Sequence, residues 1–225
     1  IDIDADGNIT IGQLKSNSTV FLNSGGALLD GGDTGGEDIQ ASAAELIAAT
    51  GIGNGNALET SLTNLAANST TGPINIDETT DLTIILVGTT TGITTTGDIN
   101  LNVGNSTSHY LLLNNNNDIK SNGGDINIDV AGALVQWSGA DIISGGGDID
   151  ITADYLEQQS SNGNSTIQAG AGNIDVYTGN GGIRLDSISG NTITLLTSGA
   201  IYEYMADGGI DITATNLIMT AANGI

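Results

Sequence analysis

The chain has 225 residues, 34 of them glycine and one proline, with 38% hydrophobic and 3% aromatic content. Glycine without a strict three-residue period excludes collagen, and the residue mix sets an aliphatic rather than an aromatic core. Three Lys/Arg stand against 26 Asp/Glu, a formal net charge of −23, which repels phosphate, excludes a nucleic-acid-binding surface and disfavours anionic membranes.

There is no cysteine, hence no disulfide framework and no thiolate metal site. No apolar run approaches the roughly 18 residues of a membrane-spanning segment, so no membrane insertion is expected. The chain opens without Met on Ile1-Asp2-Ile3-Asp4-Ala5-Asp6-Gly7, an alternation that reads as a strand. Asp2, Asp4 and Asp6 before Gly7 also match the first half of a calcium loop, D-x-D-x-D-G. Gln13 stands where that loop needs its bidentate glutamate, and outward aspartates on a strand explain the same residues. Further strands are expected at 7–11 and 19–22, with a turn at Ser24-Gly25-Gly26.

Asp30, Asp33 and Asp38 lie in a Gly-rich loop with Glu37. Such a loop can fold round a hard cation, although Thr34 breaks the calcium nonapeptide pattern, and a solvated acidic turn is the plainer reading. Calcium is therefore the one candidate ion, with Asp2, Asp4, Asp6, Asp30, Asp33 and Asp38 as candidate ligands, and no cofactor is required. Residues 39–49 are small and apolar; a strand is expected, with a helix as the alternative. Next, Asn56 and Glu59 have capping-box spacing, and Leu58, Leu62 and Leu65 fall at i, i+4 and i+7. The spacing predicts one short lateral α-helix over 56–67.

From residue 74 strands resume, and from residue 97 one phrase recurs. It reads Gly97-Asp98-Ile99-Asn100-Leu101-Asn102-Val103, Gly124-Asp125-Ile126-Asn127-Ile128-Asp129-Val130, Gly147-Asp148-Ile149-Asp150-Ile151-Thr152-Ala153 and Gly172-Asn173-Ile174-Asp175-Val176. Weaker copies start at Gly190, Gly209 and Gly7. Period two marks a strand with one wet and one dry face. Coils of 18 to 27 residues suit one rung of a parallel β-helix, each strand pairing with its equivalent about 4.8 Å away. An antiparallel sandwich would show tight two-residue hairpins instead. The expected fold is all-β, a parallel β-helix of about ten rungs and near 50 Å long. It forms a single segment over 1–225: first rungs and Gly/Asp loop at 1–55, the helical insertion at 56–67, and regular rungs at 74–225. Asp98, Asp125, Asp148 and Asn173 hold equivalent places and form a column, either capping their own turn backbone or lining up a row of cations.

A longer repeat runs above this one. Asp38-Ile39-Gln40-Ala41 to Gly51-Ile52 resembles Asp211-Ile212-Thr213-Ala214 to Gly224-Ile225, 173 residues on. The chain is read as a fragment or repeat unit of a longer one, continuing after Ile225 with a polar turn and another leucine-striped helix; the alternatives are a mature chain whose ends pair with neighbours, and a chance similarity in so biased a composition.

The Gly-Asp-Ile-x-Ile phrases, with Ala49-Thr50-Gly51-Ile52-Gly53 and Ala57-Leu58-Glu59-Thr60-Ser61-Leu62-Thr63-Asn64-Leu65-Ala66-Ala67, resemble the repetitive regions of filamentous-haemagglutinin-like exoproteins. The resemblance covers most of the chain. It implies a very long β-helical bacterial protein, secreted or on the cell surface, often exported by two-partner secretion. The family's N-terminal secretion domain is not recognisable here, so that route is implied only for a parent protein.

The expected role is structural: a stalk, fibre or adhesin shaft that associates with copies of itself or flanking repeats end to end. The alternative is an adhesion module that grips glycans or calcium with loops at 30–38, 110–117 and 155–164. Trp137, Tyr155, Tyr177, Tyr202 and Tyr204 are candidates for a sugar-stacking platform on one flank, with Trp137, Tyr155 and Tyr177 as its glycan contacts, although such side chains also pack over neighbouring rungs. A polysaccharide lyase is least favoured. Lys15, Lys120 and Arg184 are scattered, and no catalytic residue is assigned.

Overall fold

Along the strand Ile126–Val130 the three aliphatic residues are buried and Asn127 and Asp129 are exposed. The strand pairs in parallel with Ile99–Val103 on one side and with Ile149–Gln158 on the other, Ile over Ile and Asn127 over Asn100. The same relation repeats from end to end. The computed structural model describes residues 1–32, 36–159, 164–204 and 210–225, an all-β parallel solenoid of about nine turns. Every strand–strand ladder among the described residues is parallel.

Three faces wind round a triangular core. The first carries Asp2–Ala5, Thr19–Ser24, then 43–48, 64–69, Ile93–Thr95, Ile119–Ser121, Ile142–Ile143, Thr166–Gln168, and the leading halves of Ser187–Thr197 and Ile212–Ala221. The second carries Ile9–Ile11, Leu28–Asp30, Ile52 and Ile74–Glu78. It continues through the Gly-Asp-Ile strands to 217–221. The third begins at Leu14–Lys15 and 39–40. After a shift of the corner at Leu58–Ser69 it continues through Leu82–Ile84, Tyr110–Leu113, Ala133–Gln136, 155–158, 182–185 and Ile201–Glu203.

Each face holds a column of stacked side chains. On the second face it is Ile9, Leu28, Ile52, Ile74, Ile99, Ile126, Ile149, Ile174, Ile193 and Leu217. From Leu28 to Ile193 these are essentially sealed from solvent, each contributing about 1.5–3 kcal/mol of burial. Buried hydroxyls close a corner: Thr95 Oγ1 donates to the Gly72 carbonyl and accepts the Gly97 N–H, and Ser121 Oγ does the same with Gly97 and Gly124.

The helix expected over 56–67 is a strand, Leu58–Ser69. Leu58, Thr60 and Leu62 alternate inward, and after a phase slip so do Leu65, Ala67 and Ser69. The leucine spacing fits both periods. A lone helix of that length is marginal, whereas the extended chain gains ladders to Ile39–Ala48 on one side and to 76–78, 83–84 and 93–94 on the other. Ile39–Ala48 is itself a strand, as expected.

The glycines that open the four strong phrases, Gly97, Gly124, Gly147 and Gly172, are needed for close approach. A Cβ on Gly147 would sit 2.3 Å from the Gly124 carbonyl oxygen, and one on Gly124 would sit 2.4 Å from that of Gly97. Gly147→Ala is expected to destabilise the fold by about 1–3 kcal/mol by forcing two rungs apart. Gly7→Ala, where a Cβ meets nothing within 4 Å, should stay within about 0.5 kcal/mol. Urea denaturation of the two variants checks this.

Candidate functional site

Asp98, Asp125, Asp148 and Asn173 stand one above another, but they do not cap their own turns. Each reaches up one rung. Asp98 Oδ1 accepts the Asp125 N–H (2.9 Å), Asp125 Oδ1 that of Asp148 (2.8 Å), Asp148 Oδ1 that of Asn173 (2.7 Å), and Asn173 Oδ1 that of Thr192 (3.2 Å). A second ladder of this kind, unmarked by any repeated phrase, runs from Asp118 to the Asp141 N–H and from Asp141 to the N–H and hydroxyl of Thr166. On the second face Asn127 Nδ2 donates to Asn100 Oδ1 (2.8 Å) and Asn100 Nδ2 to Asn75 Oδ1 (2.6 Å). These side chains bind the rungs to one another.

The acids read as calcium candidates divide. Asp2 and Asp4 lie exposed on the strand Asp2–Ala5, and Asp4 accepts from Asn23 Nδ2. Asp6 is exposed just beyond it. Extended backbone keeps these three from converging as a calcium loop would. Asp33 lies outside the described residues. Asp30 and Asp38 do converge, and with a third acid the sequence did not single out as a ligand. Carboxylate oxygens of Asp30, Asp38 and Glu59 lie within 4.8 Å of one another. Glu59 had the look of a helix-capping residue. As a strand residue it pairs beside Asp38, whose N–H donates to the Glu59 carbonyl while the Glu59 N–H donates to Asp38 Oδ2. Asp30 accepts from the Gly32 N–H and from Asn56 Nδ2.

Asp38 is sealed from solvent. Burial first, and then the Asp30 charge, push its carboxyl up to about 7. The cluster therefore carries stored repulsion at neutral pH, which a hard cation with oxygen ligands would relieve. Two other acids are already fully occupied. Glu78 is buried, which pushes its carboxyl up, and it accepts from Thr60 Oγ1, Leu62 N–H and both donors of Thr80. Burial would raise Glu45 as well, but hydrogen bonds from Thr90 and Thr89 outweigh it and hold the carboxyl below its usual range.

Three of the five aromatic candidates are brought together, and Trp137 and Tyr177 stand apart. Tyr177 points outward from the second face, beside Thr152 and Leu196. Tyr155 is on the third face, and Trp137 follows the strand Ala133–Gln136 at a corner, where its carbonyl accepts from Ala140 N–H and Ser165 Oγ. Tyr155 groups with Tyr202 and Tyr204 round Arg184. The guanidinium is 2.7 Å from Glu157 Oε1 and lies over the rings of Tyr204 (4.4 Å) and Tyr202 (5.7 Å). Burial, then the hydrogen bond with Tyr202, hold the Tyr155 hydroxyl well above its usual range. On the same face a shallow groove of about 830 Å³ runs past Gln40, Ser61, Asp81, His109 and Tyr110. Residues 33–35 and 160–163 of the proposed gripping loops lie outside the described residues. Among the described residues no helix is long and apolar enough to cross a membrane.

Two outcomes follow from this chemistry. Asp125→Ala should cost about 0.5–1.5 kcal/mol, the worth of one hydrogen bond, and Asp125→Asn clearly less, as read by urea denaturation. For Asp38, the folded chain keeps a proton that the unfolded chain releases above about pH 4. Stability should therefore fall as pH rises from about 4 to about 7 and then level off. Melting temperatures across pH 4–8 should show that fall in the parent and a shallower one in Asp38→Asn, where the raised carboxyls of Glu78, Asp141 and Asp150 remain. Compared with known proteins, the chain matches no family model, no curated protein and no solved structure.

Proposed function

We propose that the chain is a structural spacer, a rigid segment of a secreted or cell-surface shaft or fibre of the filamentous-haemagglutinin-like kind. The observation that carries this reading is the unbroken stack of parallel rungs. Every level repeats the same aliphatic columns, and most of the polar groups that elsewhere would mark a site are used to join one rung to the next. Each rung adds about 4.8 Å of reach, and stability accumulates from nearest-neighbour contacts. On this reading the chain has no catalytic residue, and its natural neighbours are further rungs, from flanking repeats or from other copies end to end.

A second reading, an adhesion module, draws on two features of the third face and its edge. The groove beside Tyr110 offers amide and hydroxyl groups to a glycan, and the Asp30–Asp38–Glu59 cluster offers carboxylates to calcium. An acidic-polysaccharide lyase has the least support, because Lys15, Lys120 and Arg184 stand far apart along the chain and Arg184 is already engaged by Glu157.

The spacer reading is tested by excising one whole rung, residues 124–146, which leaves the phrase at Gly147 following the one at Gly97. The variant should remain folded, with small-angle scattering showing a rod shorter by about 4.8 Å. Collapse of the fold would count against interchangeable rungs. Saturable binding on a glycan array that Tyr110→Ala abolishes, or a calcium-induced rise in melting temperature that Asp38→Asn abolishes, would replace the spacer by the adhesion module.

A further inference from the structure

The last rung reproduces the third one in geometry as well as in residues. The strand Ile212–Ala221 has the ten-residue length of Ile39–Ala48, and the hydrogen bonds around the two coincide. Leu28 N–H donates to the Gly51 carbonyl at 3.0 Å, and Ile201 N–H to that of Gly224 at 3.0 Å. Thr50 donates to Gly26 at 3.1 Å and Asn223 to Gly199 at 3.0 Å. Ala49 donates to Ser24 at 3.1 Å and Ala222 to Thr197 at 3.2 Å. The turn hydroxyl recurs too, Gly26 N–H donating to Ser24 Oγ and Gly199 N–H to Thr197 Oγ1. The match extends to the opening rung, since Asp2–Ala5 lies under Phe21–Ser24 as Asp175–Thr178 lies under Thr194–Thr197.

The two strands differ in what covers them. Ile39–Ala48 is roofed by Leu58–Ser69, with Leu62 over Ala41, Leu65 over Ala44 and Ala67 over Leu46. Its inward residues Ala44, Leu46 and Ala48, and Ile52 beyond it, are buried. Among the described residues Ile212–Ala221 pairs only with Ser187–Thr197, on its other edge, and the edge equivalent to the roofed one carries no strand, with Leu217 48%, Ile218 54% and Ile225 75% exposed. An edge of this kind is a template for one more parallel strand.

We propose that the free edge of Ile212–Ala221 is a docking surface for a rung of the type formed by Gly53 to Ser69: a polar glycine turn, then a twelve-residue parallel strand with leucines at the places of Leu58, Leu62 and Leu65. The proposal rests on the spacer reading and deepens it by naming which rung fits. It depends on continuity with an interface already present inside the molecule. The ladder from Ile39–Ala48 to Leu58–Ser69 supplies the register, placing leucine over Ala214 and Leu217 and a small residue over Met219. This replaces the leucine-striped helix expected after a second Gly-Ile, because the first such stripe is a strand.

The test joins a second copy of residues 53–96 in line after Ile225 and reads hydrogen exchange along Ile212–Ala221. The amides facing the free edge should exchange at least about tenfold more slowly than in the 225-residue chain. An extension of the same length carrying Leu58→Asp, Leu62→Asp and Leu65→Asp should leave them unchanged. Unchanged exchange in both fusions, with the rest of the solenoid protected as in the parent, would overturn the proposal. So would equal protection from raising the concentration of the unextended chain, since the edge would then accept a second copy's opening rung without preference. Scattering from the unextended chain separates the two levels of inference: rod dimensions kept while the fused rung fails to protect would remove this docking rule and leave the spacer standing.

Discussion

In-register stacking of like aliphatic side chains along the solenoid axis is the constraint on which the rest depends. A slip of one residue would turn Ile126 and Ile128 to solvent and bring Asn127 into the core. Parallel pairing makes such a slip costly, because each strand is held by ladders above and below. The turns serve that register. Glycines at positions 97, 124 and 147 let backbone rest directly on backbone, and buried hydroxyls at Thr95 and Ser121 satisfy the turn groups that the sharp corner leaves over.

The same stacking would pile like charges upon one another, in a chain whose net charge is −23. The surface limits this in two ways. Carboxylates at the corners accept backbone N–H groups from the next rung, so the charge is held by directed donors. Along the second face, asparagine replaces aspartate at three successive levels and forms an amide ladder. Where that ladder gives way to Asp150 and Asp175, burial and then the neighbouring charges of Asp175, Asp148 and Asp125 hold the Asp150 carboxyl above its usual range. The acidity is thus part of the rung-to-rung construction, and at Asp30, Asp38 and Glu59 three carboxylates converge with no cationic side chain beside them among the described residues.

Local pattern made the fold legible, and its failures came where local pattern is silent. Period two in Gly124-Asp125-Ile126-Asn127-Ile128 and its return a rung later give both strand and direction. Residues 56–67 misled because three leucines suit a helix and a bent strand alike, and only pairing with Ile39–Ala48 decides between them. The contribution of Glu59 to the acidic cluster was hidden by the same error. Glu45 finds its donors 44 and 45 residues away, and Glu78 finds two of its donors 16 and 18 residues back, contacts that no short spacing records. Of the aromatic residues read as one platform, Trp137 and Tyr177 stand apart from Tyr155, Tyr202 and Tyr204, because alternation fixes a side chain's face without fixing which of three faces the strand joins.

The unit of 173 residues between Ile52 and Ile225 does not bring the chain back to its starting side. Asp2–Ala5 lies on the first face and its counterpart at 175–178 on the second; Leu28–Asp30 lies on the second and Ile201–Glu203 on the third. Each such unit therefore advances by a third of a revolution. In a long array built on it, any decoration carried once per unit would spiral round the shaft, presenting itself in three directions and realigning only at every third unit.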